Sequence, residues 1–246
     1  MAKDVEEFWK ILHPNIEEIK YSDSGDRMLI LRHLDEINKD YDEITNGYRI
    51  NGLKIDDRKI VKGIVDHYRI EEYLELLYPG YSKMSVLKRA ELGLKKSFMQ
   101  RHVDVIKEMY YKEAFGKEWD IGEDKERKIL QSVVSKVEKA DEYFQFLHPN
   151  YDQLSTVEKD KLEPEFNFVV DNIDYIDEKY RRTVMEKVAG GVTVDNTQSG
   201  KIIRSIVEEK KAIITVGDVG KALGMQVDQP GLADLPGADR PEGPEE

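Results

Sequence analysis

The chain has five histidines, the first candidates for metal binding or for proton transfer near neutral pH. They are His13, His33, His67, His102 and His148. No two of them stand at the His-Glu-x-x-His spacing that puts two imidazoles on one helix face. Four of them fall in two pairs at matching positions of an internal repeat described below, where the remaining copy has Tyr78 or Val169. A position that accepts Tyr or Val is not expected to require a metal-ligating side chain, so the histidines are predicted to be structural.

Carboxylates form three short clusters, which are Asp23 with Asp26, Asp56 with Asp57, and Asp120 with Glu123 and Asp124. None has the alternating acids, central glycine and terminal glutamate of a calcium-binding loop. Acidic residues also stabilise the N-terminal end of a helix, and we interpret the clusters in that way. Asp26 and Ser85 are N-cap candidates, and Ser155 with Glu158 has the spacing of a capping box.

The sequence lacks the motifs of the common enzyme classes. It contains no cysteine, which excludes disulfides, thiolate metal sites and cysteine nucleophiles. Neither a Gly-x-x-x-x-Gly-Lys-Ser/Thr phosphate loop nor a Gly-x-Ser-x-Gly nucleophile elbow occurs. We predict no cofactor, no metal and no catalytic residue. An enzyme with an unrecognised carboxylate site remains a further alternative.

The net charge limits the choice of partners. A chain of net charge −12 repels phosphate backbones and anionic lipid surfaces, so nucleic acid is disfavoured and no membrane is expected as a partner. No apolar run approaches the roughly 18 residues of a membrane span. The first residues are charged where a signal peptide would be apolar. These features predict a cytoplasmic protein, or a virion-associated one if the source is viral.

A short block with aromatic residues before a proline occurs three times, at residues 8–16, 73–81 and 143–151. Successive prolines of the block are 65 and 70 residues apart (79 − 14 and 149 − 79). A second series, Lys59-Ile60-Val61, recurs from Lys128 and from Lys201 at distances of 69 and 73 residues (128 − 59 and 201 − 128). Series that recur in the same order at nearly one period indicate duplication.

A third series places an aspartate beside an apolar stripe. It comprises Asp35, Asp104 and Asp171, which are 69 and 67 residues apart (104 − 35 and 171 − 104). One interpretation makes these carboxylates partner-binding groups that contact a basic ligand. The other, which we favour, pairs each of them with a Lys or Arg of a neighbouring helix.

These patterns predict an all-α fold of three divergent tandem repeats of about 70 residues, each with about three helices. The repeats span 1–70, 71–140 and 141–212, and a terminal helix at 213–226 and a disordered, acidic, Pro/Gly-rich tail at 227–246 follow them. Apolar residues from Ile30 to Ile44 follow a 4-3-4-3 spacing, which predicts one continuous middle helix. Residues 64–77 and 125–147 contain no Pro or Gly, which predicts long helices shared by adjacent repeats. Residues 48–55 and 191–194 are expected to be extended or to form a small hairpin.

This organisation favours a non-enzymatic structural or protein-interaction protein, acting as a scaffold or adaptor. A protein partner or self-assembly is expected. Compact viral or phage accessory proteins often look this way, so a viral or phage accessory protein or a virion component is one expectation. The tail is a candidate docking segment, with Leu232 and Leu235 as its apolar anchors.

The alternative function is that of a nucleic-acid-associated regulator. Residues 215–225 resemble the first helix and turn of a helix-turn-helix, which implies that a recognition helix follows. The sequence instead continues with Pro230, Gly231 and an acidic tail. The predicted third helices carry locally basic residues, which are Arg58, Lys59, Lys62, Lys125, Arg127, Lys128, Lys201 and Arg204.

Overall fold

The computed structural model describes residues 2–14, 21–52, 54–115 and 122–222. Within these ranges the chain forms eleven α-helices and no strand, which confirms the predicted all-α class. The helices are α1 Val5–Leu12, α2 Tyr21–Arg32, α3 Leu34–Ile50, α4 Asp57–Leu77, α5 Val86–Glu91, α6 Gly93–Arg101, α7 Val103–Phe115, α8 Glu123–Leu147, α9 Thr156–Asp171, α10 Ile173–Ala189 and α11 Asn196–Ala222. Short 3-10 turns at Tyr81–Lys83 and Tyr151–Gln153 come after α4 and α8.

The helix ends follow local chemistry. Ser155 and Glu158 form the predicted capping box at the start of α9, and the Ser155 amide donates to Glu158 Oε2 at 2.9 Å. Ser85 accepts a longer hydrogen bond from the Lys88 amide, at 3.4 Å, and is the N-cap of α5. Helices α1, α4 and α8 each end two residues before a proline, as expected because the residue preceding proline is disfavoured in the α conformation.

The predicted continuous middle helix is wrong, because the structure divides it in two. The break between α2 and α3 falls at His33, the break between α6 and α7 at His102, and the break between α9 and α10 at Asn172. The three residues have nearly the same backbone angles, with φ from −117° to −113° and ψ from 18° to 27°. Such values lie near the bridge region, where a single residue redirects the helix axis without a Pro or Gly.

The breaks give a structural alignment of the aspartates. Asp35 and Asp104 are each the second residue of the helix that follows a break, in α3 and α7. The residue at that place in α10 is Asp174, whereas Asp171 is the last residue of α9, before the break. Alignment by helix start therefore pairs Asp174, not Asp171, with Asp35 and Asp104.

The chain divides into two compact units, one of residues 1–145 and 150–173 and the other of residues 146–149 and 174–246. In the first unit, α1 to α4 contribute to one apolar core cluster of Phe8, Trp9, Leu12, Leu29, Ile30, Ile37, Tyr41, Ile60, Val61, Ile64 and Val65. In the second unit, Ile176 of α10 and Ile203 of α11 are fully buried. None of the helices in the described part of the chain combines the length and the apolar character that crossing a membrane requires.

Two predicted boundaries differ from the structure. Helix α3 continues to Ile50, so the first part of the segment predicted as extended, 48–55, is helical. Helix α11 runs without interruption from Asn196 to Ala222, so residues 213–222 continue an existing helix and do not start a new one. The tail at 227–246, with Leu232 and Leu235, lies outside the described residues, and so does the predicted turn of the helix-turn-helix beyond Ala222.

Candidate functional site

Buried charge in the first unit is concentrated around Asp26 of α2. Arg69 of α4 donates from Nη2 to Asp26 Oδ1, and Lys107 of α7 donates from Nζ to Oδ2 at 3.0 Å. His13 Nε2 lies 3.0 Å from the same Oδ2. Arg69 also donates from Nη1 to the Tyr111 hydroxyl at 3.1 Å. The Asp26 and Arg69 side chains are only 5% and 2% exposed, so this ion pair is shielded from water.

The cluster shifts the pKa of both partners toward the charged state. Burial raises the pKa of Asp26, but the hydrogen bond from His13 and the charges of Arg69 and Lys107 outweigh burial and lower it to about 2. Burial lowers the pKa of Arg69, but the oxygens of Tyr73, Tyr111 and Asp26 outweigh burial and raise it above its ordinary value. Both groups are therefore charged at neutral pH.

The sequence interpretation of Asp26 as an N-cap is wrong. Helix α2 begins at Tyr21, so Asp26 lies inside the helix and its side chain contacts other elements instead of its own helix start. The sequence contains one signal of this cluster. Val61, Val65 and Arg69 are spaced four residues apart on the buried face of α4, and only Arg69 is charged. A charged residue in an apolar stripe requires a buried counter-ion.

Gly25 allows α2 and α7 to approach closely at this cluster. A Cβ atom at Gly25 would lie 2.0 Å from Cζ of Tyr111. The Tyr111 ring is buried, and its hydroxyl is held by Arg69, so the ring has little room to move aside. A residue without a side chain is therefore required where Tyr111 passes α2.

A cavity of about 580 Å³ opens beside the cluster in the first unit. Three arginines and four glutamates are among the residues that line it, which are Arg32, Arg69, Arg127, Glu72, Glu75, Glu123 and Glu126. Tyr73 also lines it, and its buried hydroxyl reaches no hydrogen-bond partner of good geometry. Burial raises the pKa of Tyr73 well above its usual range, so the hydroxyl stays protonated at neutral pH.

The first unit also has an open groove between α3 and α4, with a volume of about 490 Å³. We call it the α3–α4 groove, and its lining residues are Asp40, Glu43, Ile44, Tyr48, Lys59, Ile60, Gly63, Ile64 and His67. Ile44 and Tyr48 lie one turn apart on α3, and they are 38% and 37% exposed. Asp40 and Glu43 make the α3 wall acidic.

The second unit has a groove of similar size, about 510 Å³, between α10 and α11. We call it the α10–α11 groove, and its lining residues are Lys179, Arg182, Thr183, Glu186, Lys187, Lys201, Ile202, Ser205, Ile206 and Glu209. Four cations face two carboxylates here. Lys179 donates to Glu209 Oε1 at 2.9 Å, and this bond raises the pKa of Lys179 and lowers that of Glu209.

The two grooves are built from matching positions of the chain. Each lining residue of α3 corresponds to a lining residue of α10 that lies 139 positions later, as for Asp40 and Lys179 (179 − 40). Each lining residue of α4 corresponds to one of α11 that lies 142 positions later, as for Ile60 and Ile202 (202 − 60). The apolar floor is kept as Ile60 and Ile64 in one groove and as isoleucines in the other.

The walls of the two grooves carry opposite charge. Asp40 and Glu43 of the α3–α4 groove stand at the positions of Lys179 and Arg182 in the α10–α11 groove. The exposed aromatic Tyr48 corresponds to Lys187. The two grooves therefore share geometry and floor but would attract ligands of opposite charge.

The corresponding place in α7 and α8 is bridged by an ion pair. Glu113 stands where α3 has Ile44, and Lys136 stands where α4 has His67. Lys136 Nζ lies 3.5 Å from Glu113 Oε1, so the pair spans the space that is open between α3 and α4. This local difference makes the α7–α8 position a poorer docking surface.

The predicted partner-binding aspartates lie in different environments. Asp104 pairs with Lys62 of α4 at 2.9 Å, which fits the interpretation that these acids hold a neighbouring helix. Asp35 and Asp171 are exposed and make no ion pair within the described residues.

The histidines lie in varied local environments. His33 Nε2 lies 3.0 Å from Glu72 Oε1, and its ring stacks on Tyr68. His102 Nε2 lies 3.3 Å from Asp141 Oδ1, and its ring stacks on Phe166. Across the described ranges, no three histidines or carboxylates come together in a way that could hold a metal ion.

No protein-family model, no curated protein and no solved structure matches this chain.

Proposed function

We propose that this protein is a non-enzymatic adaptor or scaffold whose inter-helix grooves each hold a segment of a protein partner. The single observation that carries the proposal is the pair of grooves, which have matching positions, the same apolar floor and opposite wall charge. A groove with an apolar floor and charged walls suits an amphipathic helix or an extended peptide. A change of the charged wall residues that leaves the apolar floor unchanged is a simple way to switch a groove from basic to acidic peptides.

The proposal includes three divergent repeats of about 70 residues. Three observations support the duplication. The helix breaks at His33, His102 and Asn172 share their backbone angles. Helices α1, α4 and α8 end in the same way before a proline. The pattern of buried residues in α4 recurs in α8 and α11, as Val61, Leu130 and Ile203, each of which is 0% exposed.

The wall charges specify the chemistry of the two ligands. The α3–α4 groove offers Ile44 and Tyr48 beside two carboxylates, so its ligand carries apolar side chains flanked by Lys or Arg. The α10–α11 groove offers four cations beside its isoleucines, so its ligand carries apolar side chains flanked by Asp or Glu. Charge pairs of this kind contribute to choice of partner and to association rate more than to affinity.

A peptide-display library panned against the full chain tests the proposal. Two families of peptides are expected, one basic and one acidic. Glu43→Lys removes binding of the basic family, because it places a cation on the acidic wall, and leaves the acidic family bound. The matched control is Glu36→Lys, the same change at an exposed position of α3 outside the groove. Failure to enrich any peptide, or equal effects of the two variants, contradicts the proposal.

Nucleic-acid binding is the second candidate, and the cations of the α10–α11 groove are the observation that favours it. Several basic residues of the predicted third helices are already engaged. Lys62 pairs with Asp66 and Asp104, Arg127 with Asp124, and Arg204 donates to the Leu147 carbonyl. A gel shift at low salt separates the candidates, since phosphate contacts weaken steeply with salt. Our proposal predicts no shift.

A further inference from the structure

We propose that the α10–α11 groove is occupied by the chain's own C-terminal segment, residues 227–246, which competes there with acidic partner segments. The inference rests on the proposed function, because it supplies an internal ligand for a groove that we assign to protein segments. It concerns the groove of the second unit and the part of the chain that follows α11, one of the two helices that form this groove. Four features of the chain carry it: charge, apolar anchors, reach and the contrast with the other groove.

Charge is the first feature. The segment carries six carboxylate side chains and one arginine, which are Asp228, Asp234, Asp239, Glu242, Glu245, Glu246 and Arg240. The groove carries four cations against two carboxylates, and one of these carboxylates, Glu209, is neutralised by Lys179. Arg182, Lys187 and Lys201 are exposed, and although the charge of Arg182 also acts on Glu209, none of the three forms an ion pair within the described residues. An acidic segment is therefore attracted to this wall.

The segment also matches the groove in its apolar residues. Leu232 and Leu235 are three residues apart, close enough for both to reach one apolar strip. Ile202 and Ile206 of α11, one helical turn apart, are 9% and 5% exposed and give the groove floor a narrow apolar strip. Removal of the two leucine side chains from water gives the contact an apolar component besides charge.

The chain is long enough to return to the groove. Between Ile206 and Ala222, α11 rises about 1.5 Å per residue, or roughly 24 Å. Only four residues, 223–226, precede the proposed segment. Eight further residues, 227–234, bring the chain to Asp234, and an extended chain spans up to about 3.3 Å per residue. The reach to Leu232 and Asp234 therefore exceeds the distance along the helix.

The α3–α4 groove provides the contrast. It has the same floor, but Asp40 and Glu43 would repel an acidic segment. Wall charge therefore directs the segment to one of two otherwise similar grooves. The consequence is regulatory, because a tethered ligand acts at high effective concentration and must leave before an acidic partner binds.

Zero-length carbodiimide cross-linking of the full chain, read by mass spectrometry, tests the contact. The reagent activates a carboxylate and joins it to a lysine amine in direct contact. We expect links from Lys187 or Lys201 to carboxylates of residues 227–246, and no such link from Lys59, the counterpart of Lys201. A mixture of isotope-labelled and unlabelled chains identifies links within one molecule. Links from Lys59 equal to those from Lys201, or no link from either groove lysine, overturn the inference.

Two variants guard against a folding artefact, because neither substitutes a buried residue of a described helix. Leu232→Ser together with Leu235→Ser alters only the segment and is expected to reduce the links from Lys187 and Lys201. Arg182→Glu reverses one wall charge at an exposed side chain and is expected to do the same, whereas Glu36→Lys is expected to change nothing. Links that persist in both the leucine variant and Arg182→Glu contradict the proposed contact.

A binding measurement separates this inference from the proposed function. Acidic peptides from the display library are titrated against the full chain and against a chain that ends at Val227. A groove filled nine-tenths of the time weakens a competitor about tenfold, so removal of the segment is expected to tighten binding by about that factor. Equal affinity for the two chains refutes the internal ligand and leaves the groove assignment standing. If neither chain binds any peptide, the proposed function fails.

Discussion

At the scale of single residues, the most consequential feature is the buried pair of Asp26 and Arg69. Two buried charges are costly to remove from water, and their mutual attraction offsets that cost only when both are present. Lys107 and His13 add contacts to the same carboxylate, so loss of Asp26 removes the counter-ion that Arg69 and Lys107 share. The cluster therefore stabilises the fold only while Asp26 is ionised, which makes its contribution depend on pH.

The pH dependence of unfolding is expected to report Asp26. Its pKa is about 2 in the folded protein and 3.8 in the unfolded chain, so its ionised form stabilises the fold above about pH 4. That contribution is lost as pH falls from 4 toward 2. The difference in unfolding free energy between the natural protein and Asp26→Asn, measured by urea denaturation, should shrink by about 2 kcal/mol from pH 5 to pH 2.

A matched substitution controls for general acid effects. Asp35→Asn removes an exposed carboxylate that makes no ion pair within the described residues, and it is the control measured over the same pH range. If the Asp26→Asn difference shrinks no more than the Asp35→Asn difference does, Asp26 is not held ionised by its neighbours, and the description of the cluster is wrong.

At the scale of helices, the close approach of α11 to the end of α8 depends on a missing side chain. A Cβ atom at Gly200 would lie 2.5 Å from the carbonyl oxygen of Phe146, which is a backbone atom and cannot rotate away. Arg127, at the corresponding position of α8, instead donates from Nε to the Leu76 carbonyl at 2.8 Å. At matching positions, a missing side chain at Gly200 and a hydrogen bond from Arg127 thus each allow a long helix to contact the end of the long helix before it.

Gly200→Ala is expected to lower the free energy of unfolding by about 1–3 kcal/mol, because the helices must separate to admit the methyl group. Gly63→Ala is the control, since a Cβ at that position in α4 meets nothing within 4 Å. It is expected to raise the free energy of unfolding by about 0.5–1 kcal/mol through helix propensity alone. Urea denaturation of both variants checks the signs, and two shifts of equal sign would refute the packing argument.

At the scale of the whole molecule, features that depend on local sequence were predictable and those that depend on topology were not. The long helix α4 follows from the absence of Pro and Gly in residues 64–77, and its end follows from Pro79. The break at His33 has no local signal, because neither Pro nor Gly marks it and packing on both sides decides it. The pairing of Asp26 with Arg69 joins residues 43 positions apart, and no pattern within one helix specifies it.

The two grooves could not be predicted from the sequence either. Each groove needs the exposed faces of two helices, and sequence periodicity describes one helix at a time. The aspartate series was aligned by apolar spacing to Asp171, whereas the start of α10 aligns Asp174. The correspondence of the groove residues emerges only when the helix starts are known.

The measurement that tests the central claim most directly exchanges the wall of one groove for that of the other. Asp40→Lys and Glu43→Arg together give the α3–α4 groove the two cations found at Lys179 and Arg182. Peptide-display selection on this double variant, with Glu36→Lys as the control, should lose the basic peptides and gain acidic peptides at the α3–α4 groove. A variant that folds normally but selects the same peptides as the natural chain would contradict the account, because wall charge would then not determine what the grooves bind.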